Sequence, residues 1–272
     1  MEFHKSINSS PRYSKIDTFR KHQKEGERST TKLLLIGDSL ITNLNFFKNV
    51  WNDYFLPSRA LNFGISGDKI GNVLWRIENY SYPASLSHIF FLFGTNNIEI
   101  NSPPQIVDGI IRCCHTAKQL LPLVKITVIG LLLRDKVVTE RRTTINQVND
   151  LLNEECKRNS FNFINHELKE WMFKDGNLRS DLYHTDYLHL SQSGNQLLAS
   201  KIIKEFTKPT IIEKKESYHI PKANCFGPLH FTVEDFPSLP SNLPKYSCIP
   251  DVPFSHSFNV GGNIVNSIRK PN

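Results

Sequence analysis

The sequence predicts an α/β protein built on a five-stranded parallel sheet with helices on both faces. Two observations carry this reading. Five short apolar runs recur along residues 32–165, continuous in apolar character rather than alternating, as expected of strands buried on both faces. Between them lie segments whose apolar residues recur at helical spacing, so strand and helix alternate along the chain.

Taken in order, the strands are KLLLI (32–36), RALNF (59–63), HIFFLF (88–93), KITVIG (125–130) and FNFIN (161–165). The helices follow from their stripes. In DKIGNVLWRIENY, Ile70, Val73, Leu74 and Ile77 share one face. The next opens on Pro103 and Pro104, suited to a first turn, and aligns Ile106, Ile110, Cys113, Cys114 and Ala117. RTTINQVNDLLNEECKR aligns Ile145, Val148, Leu152 and Cys156, and SQSGNQLLASKIIKEF closes the series. The cysteines on these stripes read as core residues.

Outside residues 32–207 the character changes. Residues 1–31 mix Ser, Lys, Arg and Glu with few large apolar residues and read as a flexible basic leader. Residues 208–272 hold nine of the fifteen prolines, show no sustained period, and read as a proline-rich, disordered tail. Within it, Phe236-Pro237-Ser238-Leu239-Pro240 has the form of a short linear motif for a protein partner.

Composition excludes several classes. The net charge of +7 is spread out. Residues 1–31 carry seven Lys/Arg against four acids, residues 32–207 nineteen against seventeen, and residues 208–272 seven against five. A nucleic-acid groove needs clustered charge, which the central segment lacks. No apolar stretch is long enough for a membrane span, and no apolar signal segment is visible near Met1. Five cysteines without a CxxC pair read as free thiols of a reducing, cytoplasmic compartment, not as a zinc site.

In an open α/β sheet, ligands bind beyond the carboxyl ends of the strands, so the residues following each strand are the candidates. Gly37-Asp38-Ser39 follows the first strand, Gly64-Ile65-Ser66-Gly67-Asp68 the second, and Gly94-Thr95-Asn96-Asn97 the third. HTDYLHLS, with Asp186 and His189, precedes the last helix. Together they supply a hydroxyl, backbone N–H groups, a carboxamide, a carboxylate and an imidazole, the components of acyl transfer. Each has a bland counterpart: Ser39 as a helix cap, Gly67 and Asn96 as turn residues, Asp186 as a cap, His189 as a satisfied histidine. Their joint occurrence on one rim favours Ser39 as nucleophile, with Asp186 and His189 completing a triad and Gly67 and Asn96 as oxyanion donors. A metal site on His184, Asp186 and His189 lacks a further ligand, and no Gly-x-Ser-x-Gly elbow is present.

The blocks GDS, NFGISGD, FGTNN and DYLHLS resemble the SGNH (GDSL-type) hydrolase superfamily. Within it, ALNFGISGDKIGNVLWRIEN, GTNNIE, VIGLLLRD and INQVNDLL are most similar to the catalytic subunits of intracellular platelet-activating factor acetylhydrolase type Ib. The likeness spans roughly residues 32–206. It implies a three-layer α/β/α flavodoxin-like fold and a serine esterase without cofactor. By that likeness Ser39 matches the nucleophile, Ser39, Gly67 and Asn96 the oxyanion hole, and Asp186 and His189 the rest of the triad. Leu40, Thr95 and Leu188 match an acyl pocket that favours short acyl groups. The resemblance also implies an ester or acetylated-lipid substrate, pairing into a homodimer, and a regulatory protein partner. Two stretches depart from the family pattern: Leu132-Leu133-Arg134 lacks a proline, and DGNLRSDLYHT differs before Asp186. The competing reading is a binding module on the same fold, recruiting a protein or RNA through leader and tail.

Overall fold

A computed structural model describes residues 7–209. The expected tail motif, Cys225 and Cys248 lie outside the described residues.

The five strands are β1 (Leu33–Gly37), β2 (Leu61–Gly64), β3 (His88–Leu92), β4 (Lys125–Ile129) and β5 (Asn162–Ile164). They form one all-parallel sheet in the order β2-β1-β3-β4-β5. The apolar runs are strands because every residue of β1 and β3 is buried from both sides. Among the described residues, eight α-helical segments surround the sheet: α1 (Ile16–Arg28), α2 (Ser39–Asn43), α3 (Lys48–Val50), α4 (Ile70–Asn79), α5 (Pro103–Leu120), α6 (Glu140–Arg158), α7 (Leu168–Trp171) and α8 (Gln192–Phe206).

The crossover from β1 to β2 steps one way across the sheet and the later crossovers step the other way. Right-handed connections therefore put α2 and α3 on one face and α4, α5 and α6 on the other. The packing follows: α5 lies between α4 and α6, while α8 packs against α3 and the turn at Trp51–Phe55. The result is the three-layer α/β/α arrangement expected from the sequence. Its strand order reverses between β1 and β3, so the end of β1 opens into a crevice.

Cys113, Cys114 and Cys156 are buried thiols on the inner faces of α5 and α6, as their stripe positions suggest. Burial pushes the Cys156 thiol up to about 12, out of the range of a reactive thiolate. No helix among the described residues is long and apolar enough to cross a membrane.

Within the described residues, 7–31 depart from the reading as a flexible leader. Residues 16–28 form a helix whose Phe19, His22 and Gly26 are buried. Phe19 packs on Trp75 and Tyr80 with ring centroids 4.9 and 5.0 Å apart, and His22 stacks on Phe63 at 4.7 Å. Burial, with the charges of Arg76 and Lys21, lowers His22 to about 3, so this ring is neutral and behaves as an aromatic filler. Gly26 lets the helix approach closely: a Cβ there would stand 2.4 Å from the Ser81 carbonyl oxygen. The stripe escaped notice because one of its members is a histidine and another a glycine.

Truncating Phe19 removes a buried ring. Phe19→Ala is expected to destabilise the protein by about 3 kcal/mol, measured by urea unfolding. A loss below about 1 kcal/mol would show that α1 is not part of the cooperative core.

Candidate active site

The site is assembled at the carboxyl edge of the sheet, from the top of β1 outward. Asp38 leaves β1 with its N–H on the Leu92 carbonyl, and its carboxylate accepts from the Leu40 N–H at 3.0 Å. The cap of α2 is thus Asp38, and Ser39 is the first helical residue. This removes the bland reading of Ser39, since its hydroxyl is not needed to close the helix. Instead the Ser39 Oγ lies 3.0 Å from Nε2 of His189. At five residues, α2 is little more than one turn, so any electrostatic benefit at Ser39 comes from local N–H groups rather than a long helix.

His189 is held by the loop before α8. Tyr183 and Leu190 bridge in antiparallel fashion, and the His184 N–H donates to the His189 carbonyl at 2.8 Å. The Asp135 N–H donates to Tyr187 at 2.8 Å, tying this loop to the segment after β4. Asp186 accepts three hydrogen bonds: from Nδ1 of His189 at 2.7 Å, and from the N–H groups of Leu188 and His189 at 3.0 Å each. Burial acts to raise the Asp186 carboxyl, but these three donors outweigh it and hold the group below its usual range. An ionised carboxylate can only accept, so Nδ1 of His189 carries the proton and Nε2 turns its lone pair to the Ser39 hydroxyl. Such an imidazole can take a proton from Ser39 as its oxygen attacks an electrophile. The cap of α8 is Ser191, whose Oγ accepts from Gly194, so Asp186 is not spent on that helix.

Gly67 sits in the turn after β2 with φ +79°, a backbone conformation that disfavours any side chain. Asn96 lies in the short 3₁₀ turn Thr95–Asn97 beyond β3 and donates from Nδ2 to the Asp68 carbonyl at 2.9 Å. A carboxamide nitrogen carries two hydrogens, so one remains for a ligand. The structure therefore joins the Asn96 side chain to the Gly67–Asp68 turn. Leu40 and Thr95 are buried at the starts of their helical turns, and Leu188 is half-buried next to His189.

One charged residue beneath the rim, Arg76, was not singled out from the sequence. Arg76 of α4 is 3% exposed, and its guanidinium donates to the carbonyls of Phe63 at 2.7 Å and Gly37 at 3.0 Å. It also pairs with Asp68, its Nε 2.8 Å from Oδ2. Burial pushes the Asp68 carboxyl up, and the guanidinium groups of Arg76 and Arg12 draw it only part of the way back. Burial likewise raises Asp38 to about 7, against the Leu40 N–H and with the charge of Asp68 adding to the rise. The signal for Arg76 was present: a basic residue three positions after Val73, inside the apolar stripe of α4.

Comparison with known proteins identifies the family of the chain. Residues 35–197 match the GDSL-like lipase/acylhydrolase family. Platelet-activating factor acetylhydrolase IB subunit alpha1 of Rattus norvegicus is 32% identical over 169 residues, covering 60% of this chain and 69% of that protein. The alpha2 subunit of Homo sapiens is 30% identical over 168 residues, covering 60% and 70%. The crystal structure of a GDSL-like lipase from Bacteroides thetaiotaomicron shares the fold, with a TM-score of 0.55, 16% identity, and coverage of 69% of this chain and 95% of that one. Fold and family define a carboxylic ester hydrolase. The chain belongs to the GDSL-like lipase/acylhydrolase family.

The raised Asp38 carboxyl has a consequence for stability. Between the ordinary carboxyl value of 3.8 and about 7, the unfolded chain is ionised here while the folded protein keeps the proton. Raising the pH across that window therefore favours unfolding, and the loss levels off above it. Asp38→Asn keeps the acceptor for Leu40 and removes the titration. The melting temperature of this variant minus that of wild type should rise from about pH 4 to about pH 7 and then stay flat. A difference independent of pH would contradict the assignment.

Proposed function

We propose that the protein is a serine esterase of short-acyl, acetyl-like esters. What supports the reading most is the unbroken relay from the Ser39 hydroxyl through His189 to Asp186, with both hydrogen-bond distances short enough for proton transfer. Ser39 Oγ attacks the ester carbonyl and gives its proton to Nε2 of His189. The oxyanion of the tetrahedral intermediate accepts from the N–H groups of Ser39 and Gly67 and from the second amide hydrogen of Asn96. Its collapse expels the alkoxide, which takes the proton back from His189 and leaves as the alcohol. Water then attacks the acyl-enzyme, gives a proton to His189, and Ser39 departs with that proton restored.

Leu40, Thr95 and Leu188 are assigned to the acyl side of the crevice. Leu40 and Thr95 are already buried, which favours a small space and an acetyl-sized group. The names of the relatives, subunits of platelet-activating factor acetylhydrolase, support the same class. The alcohol half of the substrate would pass the rim at Arg134 and the loop before Asp186. Asp186 and His189 keep side-chain exposures of 49% and 31%, so a substrate reaches them directly from solvent.

The test is hydrolysis of p-nitrophenyl esters with two, four and eight acyl carbons. Acetate should turn over fastest. Ser39→Ala should lower kcat by about 10⁶-fold, and Asn96→Ala by about 10²–10³-fold. Equal rates for all three esters would remove the short-acyl assignment, and undiminished hydrolysis by Ser39→Ala would remove the nucleophile.

A further inference from the structure

Arg12 lies well before residues 35–197, the stretch that matches the family, yet its side chain ends at the Gly67 turn. Its Nη1 donates to the Ser66 carbonyl at 2.6 Å and lies 3.3 Å from Oδ1 of Asp68. The guanidinium also fills the space beside Gly67: a Cβ on that residue would stand 2.9 Å from Nη1. The backbone that delivers it is pinned to α4. The Ser10 N–H donates to the Gly71 carbonyl at 3.0 Å, Asn72 donates to the Ser10 carbonyl at 3.2 Å, and Ser9 donates to Glu78 at 2.5 Å.

The turn it grips carries one of the groups assigned to the oxyanion, the Gly67 N–H, and holds a second, the Asn96 amide. Gly67 lies between Ser66, whose carbonyl Arg12 holds, and Asp68, whose carboxylate is shared by Arg12 and Arg76. The Asp68 carbonyl in turn fixes the Asn96 amide. Without Arg12, the Ser66 carbonyl loses that donor and Asp68 keeps one cationic partner of two. The turn can then shift, and both oxyanion donors shift with it.

We infer that Arg12, carried on the strap of residues 7–12, is a positioning residue that sets the oxyanion hole from outside the matched family region. This rests on the assignment of Gly67 and Asn96 as oxyanion donors. It also gives a residue of the segment 1–31, read from the sequence as a flexible basic leader, a part in turnover.

The experiment is steady-state hydrolysis of p-nitrophenyl acetate by the full-length chain. Arg12→Ala should lower kcat by about 10- to 100-fold, the scale of a small misplacement of stabilising groups, with KM within about twofold of wild type. One nitrogen makes both polar contacts, so the ammonium of Arg12→Lys should recover most of the loss. Because Arg12 acts through the donors, the Arg12→Ala/Asn96→Ala double variant should fall far short of the product of the two single losses. Arg20→Ala, which removes an exposed charge from α1, is the control for a general charge effect and should leave kcat unchanged. If Arg12→Ala does not fold, Arg12→Gln is read in its place and the same loss is expected.

Wild-type kcat in Arg12→Ala or Arg12→Gln, no recovery in Arg12→Lys, or multiplicative losses in the double variant would each overturn the positioning role. Ser39→Ala separates this from the reading beneath it. Retained activity in Ser39→Ala overturns the assignment of Ser39 as nucleophile and with it the oxyanion hole built around it, whereas its loss beside an unaffected Arg12→Ala overturns the strap alone.

Discussion

A guanidinium shut away from water must find a partner for its charge and its hydrogens, and Arg76 meets that demand at the site's foundation. Its partners are the Gly37 carbonyl at the end of β1, the Phe63 carbonyl in β2, the Tyr80 hydroxyl at 2.7 Å, and the Asp68 carboxylate. Gly37 is two residues before Ser39, and Asp68 is next to Gly67. One buried side chain therefore sets the spacing between the strand that leads to Ser39 and the turn that faces it. Removing one member of such a buried pair costs about 3–5 kcal/mol, because the other charge is left without compensation. The network is thus a strong constraint on shape even where its net contribution to stability is small.

The parallel sheet explains why the constraint has to exist. Each strand of a parallel sheet delivers its carboxyl end to the same rim, so residues far apart in sequence meet there without long connections. Ser39, the Gly67 turn and the Thr95–Asn97 turn come from three adjacent strands, β1, β2 and β3. Backbone ladders align the strands, but nothing in a ladder sets the conformation of the loops beyond it. Polar side chains do that here: Asp38 on the Leu40 N–H, Asn62 on the Ile41 carbonyl at 2.7 Å and the Gly64 N–H at 2.9 Å, Asn96 on the Asp68 carbonyl. The rim is a polar network standing on an apolar sheet.

Legibility in the sequence follows the same division. The strands and the helices α4, α5, α6 and α8 were readable because burial writes a period into the residues, and each observed boundary falls within a few positions of the apolar run. The candidate residues of the rim were readable because the position after a strand is a topological fact, and Ser39, His189 and Asp186 meet as their positions suggested. What could not be read was anything that depends on a side chain crossing between elements. Arg12 looks like a surface charge in a string of letters, Arg76 shows only as a basic residue inside an apolar stripe, and only the fold brings both to Asp68. Helix α1 was missed for a related reason. Its inner face is made of Phe19, His22 and Gly26, and a histidine becomes core material only when Phe63 and Tyr80 are beside it. The short turns between Ser39 and Ser58 carry too few residues each for a period to show.

The central claim is that Ser39 is an activated nucleophile, and covalent trapping tests it without reference to any natural substrate. The protein is incubated with diethyl p-nitrophenyl phosphate and its mass is read intact, then after proteolysis. The account predicts one diethylphosphoryl group per chain, carried by Ser39, with release of p-nitrophenolate and loss of labelling in His189→Ala. A chain that remains unlabelled, or a label found on another residue, would contradict it.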